Sequence, residues 1–502
     1  MAEKKLLSRR SLLKGAAASM VLLAAACQPQ VVEVEKIVTQ VVKETVEVEK
    51  VVEKEVEVEK VVTQVVEVEK IVEVERAAEV TGTFWVLQKK DFFPAMNEWF
   101  RAQMVSFCKE KGWPLDISYM SGYTGGTPEI EKLIASVAAG TPADLIMHDL
   151  GIVQLRQAYA LDSVSDVVED IEAAFGPASA RQKNDLYTDD QWWAVPYFTR
   201  SDGGWFQRSV IEGASVDIHG IRQFVDLWET LLEVTQPDKE LYGWGVTINA
   251  SNDGNWFRRR MFHGYGAYRQ DETGQYCTFD SPEAVEAMTV MTDLYMNEKW
   301  ESLLPPGVLA WTDMNNNEAY LAGKLIYTFN GGTVLGKAIL DGNPIKDDTG
   351  FHAPPGGPVN EEFNSLSANN WMILRGARNP DAAKETIRHF MLSLENQDAI
   401  FENAPAFALP AYADVWAQSK YIQTNKTAAE LEKVARDEFG RIPGQYPGPA
   451  QNPALASADA ALIENDMVAS ILNGTPVAEA VKTCHERYVA IFKEFGLPGE
   501  KE

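Results

Sequence analysis

The chain has 502 residues, of which 46 are Lys or Arg and 73 are Asp or Glu, giving a formal net charge of −27. So acidic a surface repels phosphate backbones and anionic headgroups, which excludes nucleic acid as a partner and electrostatic adhesion as a route to a membrane. Four cysteines make no disulfide framework and six histidines show no paired spacing, so no metal site and no cofactor is expected.

Residues 1–26, MAEKKLLSRRSLLKGAAASMVLLAAA, have a basic start, a short apolar core and small residues at the end, the pattern of a signal peptide. The apolar run from Gly15 to Ala26 is about half the roughly 20 residues of a spanning helix. Ser8-Arg9-Arg10-Ser11-Leu12-Leu13-Lys14 resembles the twin-arginine export motif, with Leu12 where Phe is commoner. Leu23-Ala24-Ala25-Ala26-Cys27 resembles a lipobox, with Ala24 where Leu is usual, which implies cleavage before Cys27 and lipidation of its sulfur. The mature chain then keeps 41 basic and 72 acidic residues. Its lipid must hold it at the membrane, for which two or three acyl chains suffice where one does not.

Residues 27–80 form a stalk. From 31 to 76 it holds 21 Val or Ile, 13 Glu and 7 Lys or Arg, with VEVEK or VEVER starting at 32, 46, 56, 66 and 72. Strict alternation suggests a strand, yet an uncovered strand of this length would aggregate. A 3-4 spacing also runs through Val31, Val34, Val38, Val41, Thr45, Val48 and Val52, and resumes at Val58. That spacing predicts a valine-seamed coiled coil with a stammer, able to support a stalk-mediated oligomer. Helix is favoured over extended chain; the first would stand roughly 70 Å tall and the second roughly 150 Å.

Beyond residue 80 the composition is that of a globular protein of two domains. TFWVLQ (83–88), LDISYM (115–120) and ADLIMHDL (143–150) read as strands. PAMNEWFRAQMVSFCKEKG (94–112) and EIEKLIASVAAG (129–140) read as the helices between them. Strand and helix in turn predict an α/β fold with a parallel sheet covered on both faces. Ligands collect at the carboxyl ends of such strands, which here carry Trp85, Gln88, Tyr123, Thr124, His148 and Asp149. Cys108, Cys277 and Cys484 are expected as buried thiols, with at most one bridge.

Five segments in order carry a resemblance: TPADLIMHDLGIVQLRQAYALDSVSDVV, WWAVPYFTRSDGGWFQRSVIEGAS, EAYLAGKLIYTFNGG, WMILRGARNPDAAKETIRHFMLS and NGTPVAEAVKTCHERYVAIFKEFG. They resemble the family 1 extracellular solute-binding proteins over nearly all of residues 81–498. The resemblance implies a two-lobed periplasmic-binding-protein-like fold of type II, each lobe a mostly parallel sheet flanked by helices. It implies lobe 1 at 81–199 and 329–374, lobe 2 at 200–328 and 375–502, and crossovers near 198–201, 325–331 and 372–377. It further implies capture of a sugar or oligosaccharide outside the cytoplasm and delivery to the membrane permease of an ABC importer, without covalent chemistry. A surface-anchored enzyme acting on polysaccharide, and a receptor for a non-sugar nutrient such as a peptide, are the alternatives.

GGTVLGKA (331–338) has the glycine and lysine spacing of a phosphate-binding loop, but Ala338 stands where Ser or Thr must hold magnesium. What remains is a strand-to-helix turn with free N–H groups and Asn330 facing a cleft. No GxSxG occurs, and sequence alone does not place two carboxylates across a cleft as a glycosidase needs. Sugars present apolar C–H faces and a rim of hydroxyls, so aromatic rings and polar side chains are wanted together. The candidate aromatics are Trp85, Tyr123, Tyr197, Trp256, Trp311 and Trp371; the polar partners are Thr124, Asp149, Thr199, Asn255, Asn330 and Asn370. Arg258, Arg259 and Arg260 are read as capping a helix or pairing with the acidic surface, with recognition of an anionic ligand substituent as the alternative.

Overall fold

The computed structural model describes residues 40–46, 66–72, 78–121, 127–353, 355–361, 366–425, 431–432 and 445–501. Contacts divide the chain into two units, Met1–Ala77 and Ala78–Glu502. In the first, β1 (Gln40–Val46) pairs antiparallel with β2 (Val66–Val72), Gln40 opposite Val72 and Val46 opposite Val66. These two segments are strands and not the helix that the heptad spacing favours. Their β-branched residues lose rotamer freedom in a helix and keep it in a strand. Pairing also satisfies the backbone groups that a lone strand would expose. Cys27 and the leader lie outside the described residues.

The second unit holds two main sheets and a two-stranded hairpin. β3 (Phe84–Lys89), β4 (Leu115–Met120) and β5 (Leu145–His148) are parallel neighbours. A hairpin of β6 (Tyr187–Thr188) and β7 (Gln191–Trp192) precedes β8 (Val195–Ser201). β9 (Gly203–Gln207), β10 (Tyr242–Trp244), β11 (Leu325–Asn330), β12 (Thr349–His352) and β13 (Leu366–Met372) follow. The first sheet has the order β4-β3-β5-β13-β8 with β13 antiparallel to both neighbours, and the second the order β10-β11-β9-β12 with β9 antiparallel. Each sheet is mixed, all its strands but one running the same way, and helices cover it, which buries all four residues of β5.

The local signals are plain. Pro94 opens the helix Pro94–Lys111, where its missing N–H is not needed, and Gly112 at φ 74° closes it. That helix lays Phe100 on Trp371 of β13, ring centroids 5.5 Å apart, and on Phe390, 5.3 Å apart. One core centres on the first sheet and another on the second, around Trp228, Trp244, Phe257 and Met288.

The chain passes between the lobes at Asp202, between β8 and β9. It returns after β11, because Val334 and Leu335 of the helix Thr333–Leu340 lie in the first core. β12 then rejoins the second sheet and β13 the first. The crossover expected at 372–377 is absent. Helices Pro380–Met391 and Leu394–Asn403 bury Ile387, Phe390, Ile400 and Phe401 in the first core, as does Leu431. The first sheet offers their apolar faces the nearest cover, so lobe 2 regains the chain after residue 432 and not at 375. Helices Pro453–Ala460, Ile463–Leu472 and Val477–Glu494 then complete the second core.

Candidate functional site

A cavity of about 470 Å³ lies between the lobes and takes residues from both. The first-lobe wall follows from the parallel strands, whose carboxyl ends point one way. His148 ends β5, Asp149 follows it, and Arg200 comes from β8. Asp149 accepts from Lys89 Nζ at 2.9 Å and from Arg200 Nη1 at 3.0 Å, and lies 3.0 Å from His148 Nδ1. Burial pushes the Asp149 carboxyl up, but Lys89, Arg200 and His148 outweigh it and hold the group well below the usual carboxylate range. His148 Nε2 in turn meets the Ser121 carbonyl at 2.8 Å, which fixes the ring. This wall is an ion network.

The second-lobe wall is built at helix starts. Ser251 caps the helix Asn252–Tyr265 by accepting from Gly254 N at 3.0 Å, which brings Asp253, Asn255 and Trp256 of its first turns to the cavity. The Asp253 N–H donates to Asp313 Oδ1 at 3.0 Å, Asn252 Nδ2 to Asp313 Oδ2 at 2.9 Å, and Asn316 Nδ2 to Asp253 Oδ2 at 2.6 Å. Burial first, and then the Asp313 charge, raise the Asp253 carboxyl well above its ordinary value. Burial also raises that of Asp313, partly offset by its hydrogen bonds from Asp253 and Asn252. Asn330 lines the cavity but turns inward, its Oδ1 accepting from Thr333 N at 2.9 Å and Thr333 Oγ1 at 2.6 Å. The first helical N–H is therefore capped, where a free one was expected. Gly332 makes the turn at φ 89°, and Lys337 pairs with Asp341 at 2.7 Å, away from any phosphate role.

A third element is the helix Ala180–Leu186, capped by Ser179, whose Oγ accepts from Gln182 N at 3.3 Å. It lowers Arg181 and Gln182 into the cavity. Arg181 is only 5% exposed, and its nearest carboxylate, Asp185, stands 3.7 Å from Nε. Arg181 Nε and Nη1, Gln182 Nε2 and Asn370 Oδ1 find no hydrogen-bond partner among the described residues. Burial lowers the Arg181 pKa, with Asp185 and Asp202 opposing. These groups suit a ligand rich in hydroxyls, which both donate and accept.

Of the candidates read from the sequence, Asp149, Asn255, Trp256, Asn330 and Asn370 line this cavity together. Trp371 does not: it is 0% exposed, packed on Tyr197 at 4.7 Å and on Phe390 at 5.4 Å. Successive strand residues face opposite ways, so Asn370 reaches the cavity and Trp371 the core. Tyr197 and Thr199 are buried in β8, where Thr199 exchanges backbone hydrogen bonds with Leu409 at 2.9 Å. Trp85 is the second residue of β3, far from its carboxyl end, and its N–H donates to Asp144 Oδ2 at 2.9 Å. Trp311 is half-buried outside the cavity, its carbonyl accepting from Asn249 Nδ2. Tyr123 and Thr124 lie outside the described residues. Arg258 donates to Glu464 at 3.0 Å and Arg259 pairs with Asp459 at 2.7 Å, so these two arginines meet acids. Sequence reasoning passed over Phe92, Arg181, Gln182, Arg200, Asp253, Asp313 and Asn317, all of which line the cavity. Arg200 and Asp253 stand within two residues of chosen positions; Arg181 and Gln182 carry no local signal.

No curated protein matches the chain. Solved structures do. The maltose-bound MalE3 of T. maritima superposes with a TM-score of 0.67 at 20% identity, over 82% of this chain and 99% of that one. An ABC-transporter solute-binding protein of Agrobacterium vitis with bound D-mannitol gives 0.66 at 19% identity, over 83% and 99%. A sugar transporter protein of Arthrobacter chlorophenolicus with bound laminaribiose gives 0.66 at 16%, over 82% and 99%. These likenesses show the fold. The family described as bacterial extracellular solute-binding protein matches residues 88–398, more than half of the chain. This chain belongs to that family.

Proposed function

We propose that this protein is a lipid-anchored receptor on the outer face of the cell membrane that captures a sugar or oligosaccharide and hands it to the permease of an ABC importer. The cavity carries the reading. It is lined by both lobes, it sits beside the crossovers at Asp202 and Gly331, and it combines Trp256 with buried atoms of Arg181, Gln182 and Asn370 that find no hydrogen-bond partner among the described residues. An aromatic face with such polar groups suits a saccharide. The solved neighbours bound to maltose, mannitol and laminaribiose support a carbohydrate ligand here. Closure of two lobes about the ligand is the mechanism, and no bond in the ligand is made or broken.

A thermal-shift screen of the protein against sugars, sugar alcohols, peptides and polyamines tests this. A ligand that binds only the folded state raises the melting temperature with concentration. A response to saccharides that are recovered unchanged is expected. A response to peptides alone, or recovery of cleaved sugar at catalytic turnover, would overturn the reading.

A further inference from the structure

We propose that the paired carboxylates Asp253 and Asp313 receive an ammonium group of the ligand, so that the receptor takes an amine-bearing saccharide; this rests on the carbohydrate-receptor reading above. Three other acids of the cavity have a base: Asp149 has Lys89 and Arg200, Asp185 has Arg181, and Asp459 has Arg259 and Arg269, while Asp202 lies in the fields of Arg181 and Arg260. Asp253 and Asp313 form no ion pair among the described residues and are held by neutral groups, the Asp253 N–H and the amides of Asn252 and Asn316. Asp202 adds negative charge at Asp253, and Arg200, already on Asp149, opposes it only weakly. Burial raises both carboxyls, and the Asp313 charge raises Asp253 further, so the pair lacks a cation that a ligand ammonium, donating hydrogen bonds to both carboxylates, supplies.

A separate observation comes from the facing wall. Asn370 is 5% exposed, lines the same cavity, and its Oδ1 meets no donor among the described residues. It is an acceptor waiting for a ligand N–H or O–H. Arg181 and Gln182 supply the converse, donors for sugar oxygens. The cavity therefore fits a polyol that carries one cationic nitrogen.

The test uses the full chain and three probes: the β-1,4-linked disaccharide of glucosamine, cellobiose, and the diacetylated form of the first. Calorimetry at about pH 6 keeps the free amine protonated, and the amine probe is expected to bind at least about tenfold more tightly than cellobiose. Asp313→Asn and Asp253→Asn, checked for a cooperative melt, are expected to bring the ratio of affinities to about one. Equal or tighter binding of cellobiose or of the acetylated probe to the unaltered protein overturns the ammonium site and leaves the sugar receptor standing. So does an amine preference that survives both variants. Binding of none of the three overturns the site as well, and the broader sugar screen then decides the receptor reading separately.

Discussion

Asn370 and Trp371 are neighbours with opposite duties. Trp371→Ala empties a site packed by Phe100, Tyr197 and Phe390 and should cost about 3 to 5 kcal/mol in urea unfolding. Asn370→Ala should leave stability nearly intact while weakening ligand binding by about 1 to 3 kcal/mol, read by calorimetry. The opposite pattern would return the tryptophan to the site. Asp149 and Asp253 differ in the sign of their pH dependence. Asp149 is held below the roughly 3.9 of an unfolded aspartate, so its contribution to stability is full above that value and drains as pH falls through the lower folded value. Asp149→Asn should remove that acid dependence and cost about 1 to 3 kcal/mol at neutral pH, because Arg200 and Lys89 lose their shared partner while Lys89 keeps Asp91 at 3.4 Å. Asp253 is raised, so its contribution is full below the unfolded value and is lost as pH rises through the folded one. Asp253→Asn should therefore raise the melting temperature near neutral pH. Asp149, Asn255, Asn330 and Asn370 were legible in the sequence because strand ends and helix starts can be located from it. The face a ring takes cannot, since a one-residue slip in register exchanges core and cavity.

Elements were legible where their signal is local. β4 matches its reading residue for residue, and the helix Pro94–Lys111 falls one residue short of it, because a proline and a glycine mark its ends. β12, only four residues long and wholly buried, shows no alternation to read. The lobe that owns Pro380–Met391 depends on contacts with Phe100 and Trp371, far off in sequence, and no local pattern states them. β9 shows what such contacts demand. Its Gly203 and Gly204 both sit in a strand directly after the crossover. A Cβ on Gly204 would lie 1.6 Å from Tyr327 Oη, and one on Gly203 2.1 Å from Phe351. Gly204→Ala should thus destabilise by at least about 1 to 3 kcal/mol, since the tyrosine is buried and has nowhere to swing. Unaltered urea unfolding would mean that the ring is free to move.

At the scale of the molecule, anchoring and closure are separable. Cys27→Ala should move the protein from the membrane fraction to the soluble one after a carbonate wash, and a mutant that stays behind would sink the lipid anchor. Closure is testable at the hydrogen bonds that join the lobes. Two side chains bridge the lobes: Gln154 Nε2 donates to the Ala456 carbonyl at 3.2 Å, and Gln451 Nε2 to the Asn184 carbonyl at 3.0 Å. Gln154 belongs to the helix Ile152–Gln157 of the first lobe, and Ala456 to Pro453–Ala460 of the second. Such bonds exist only while the lobes are together, so they favour the closed form by about 0.5 to 1.5 kcal/mol each. When only the closed form binds tightly, apparent affinity falls with the closed fraction. Gln154→Ala and Gln451→Ala should each weaken binding by about two- to tenfold, and the double change by about their product. X-ray scattering should show a larger radius for the ligand-free double variant, and saturating ligand should bring it back to that of the unaltered protein. Unchanged affinity and scattering in the double variant would mean that the lobes are held by the crossovers alone.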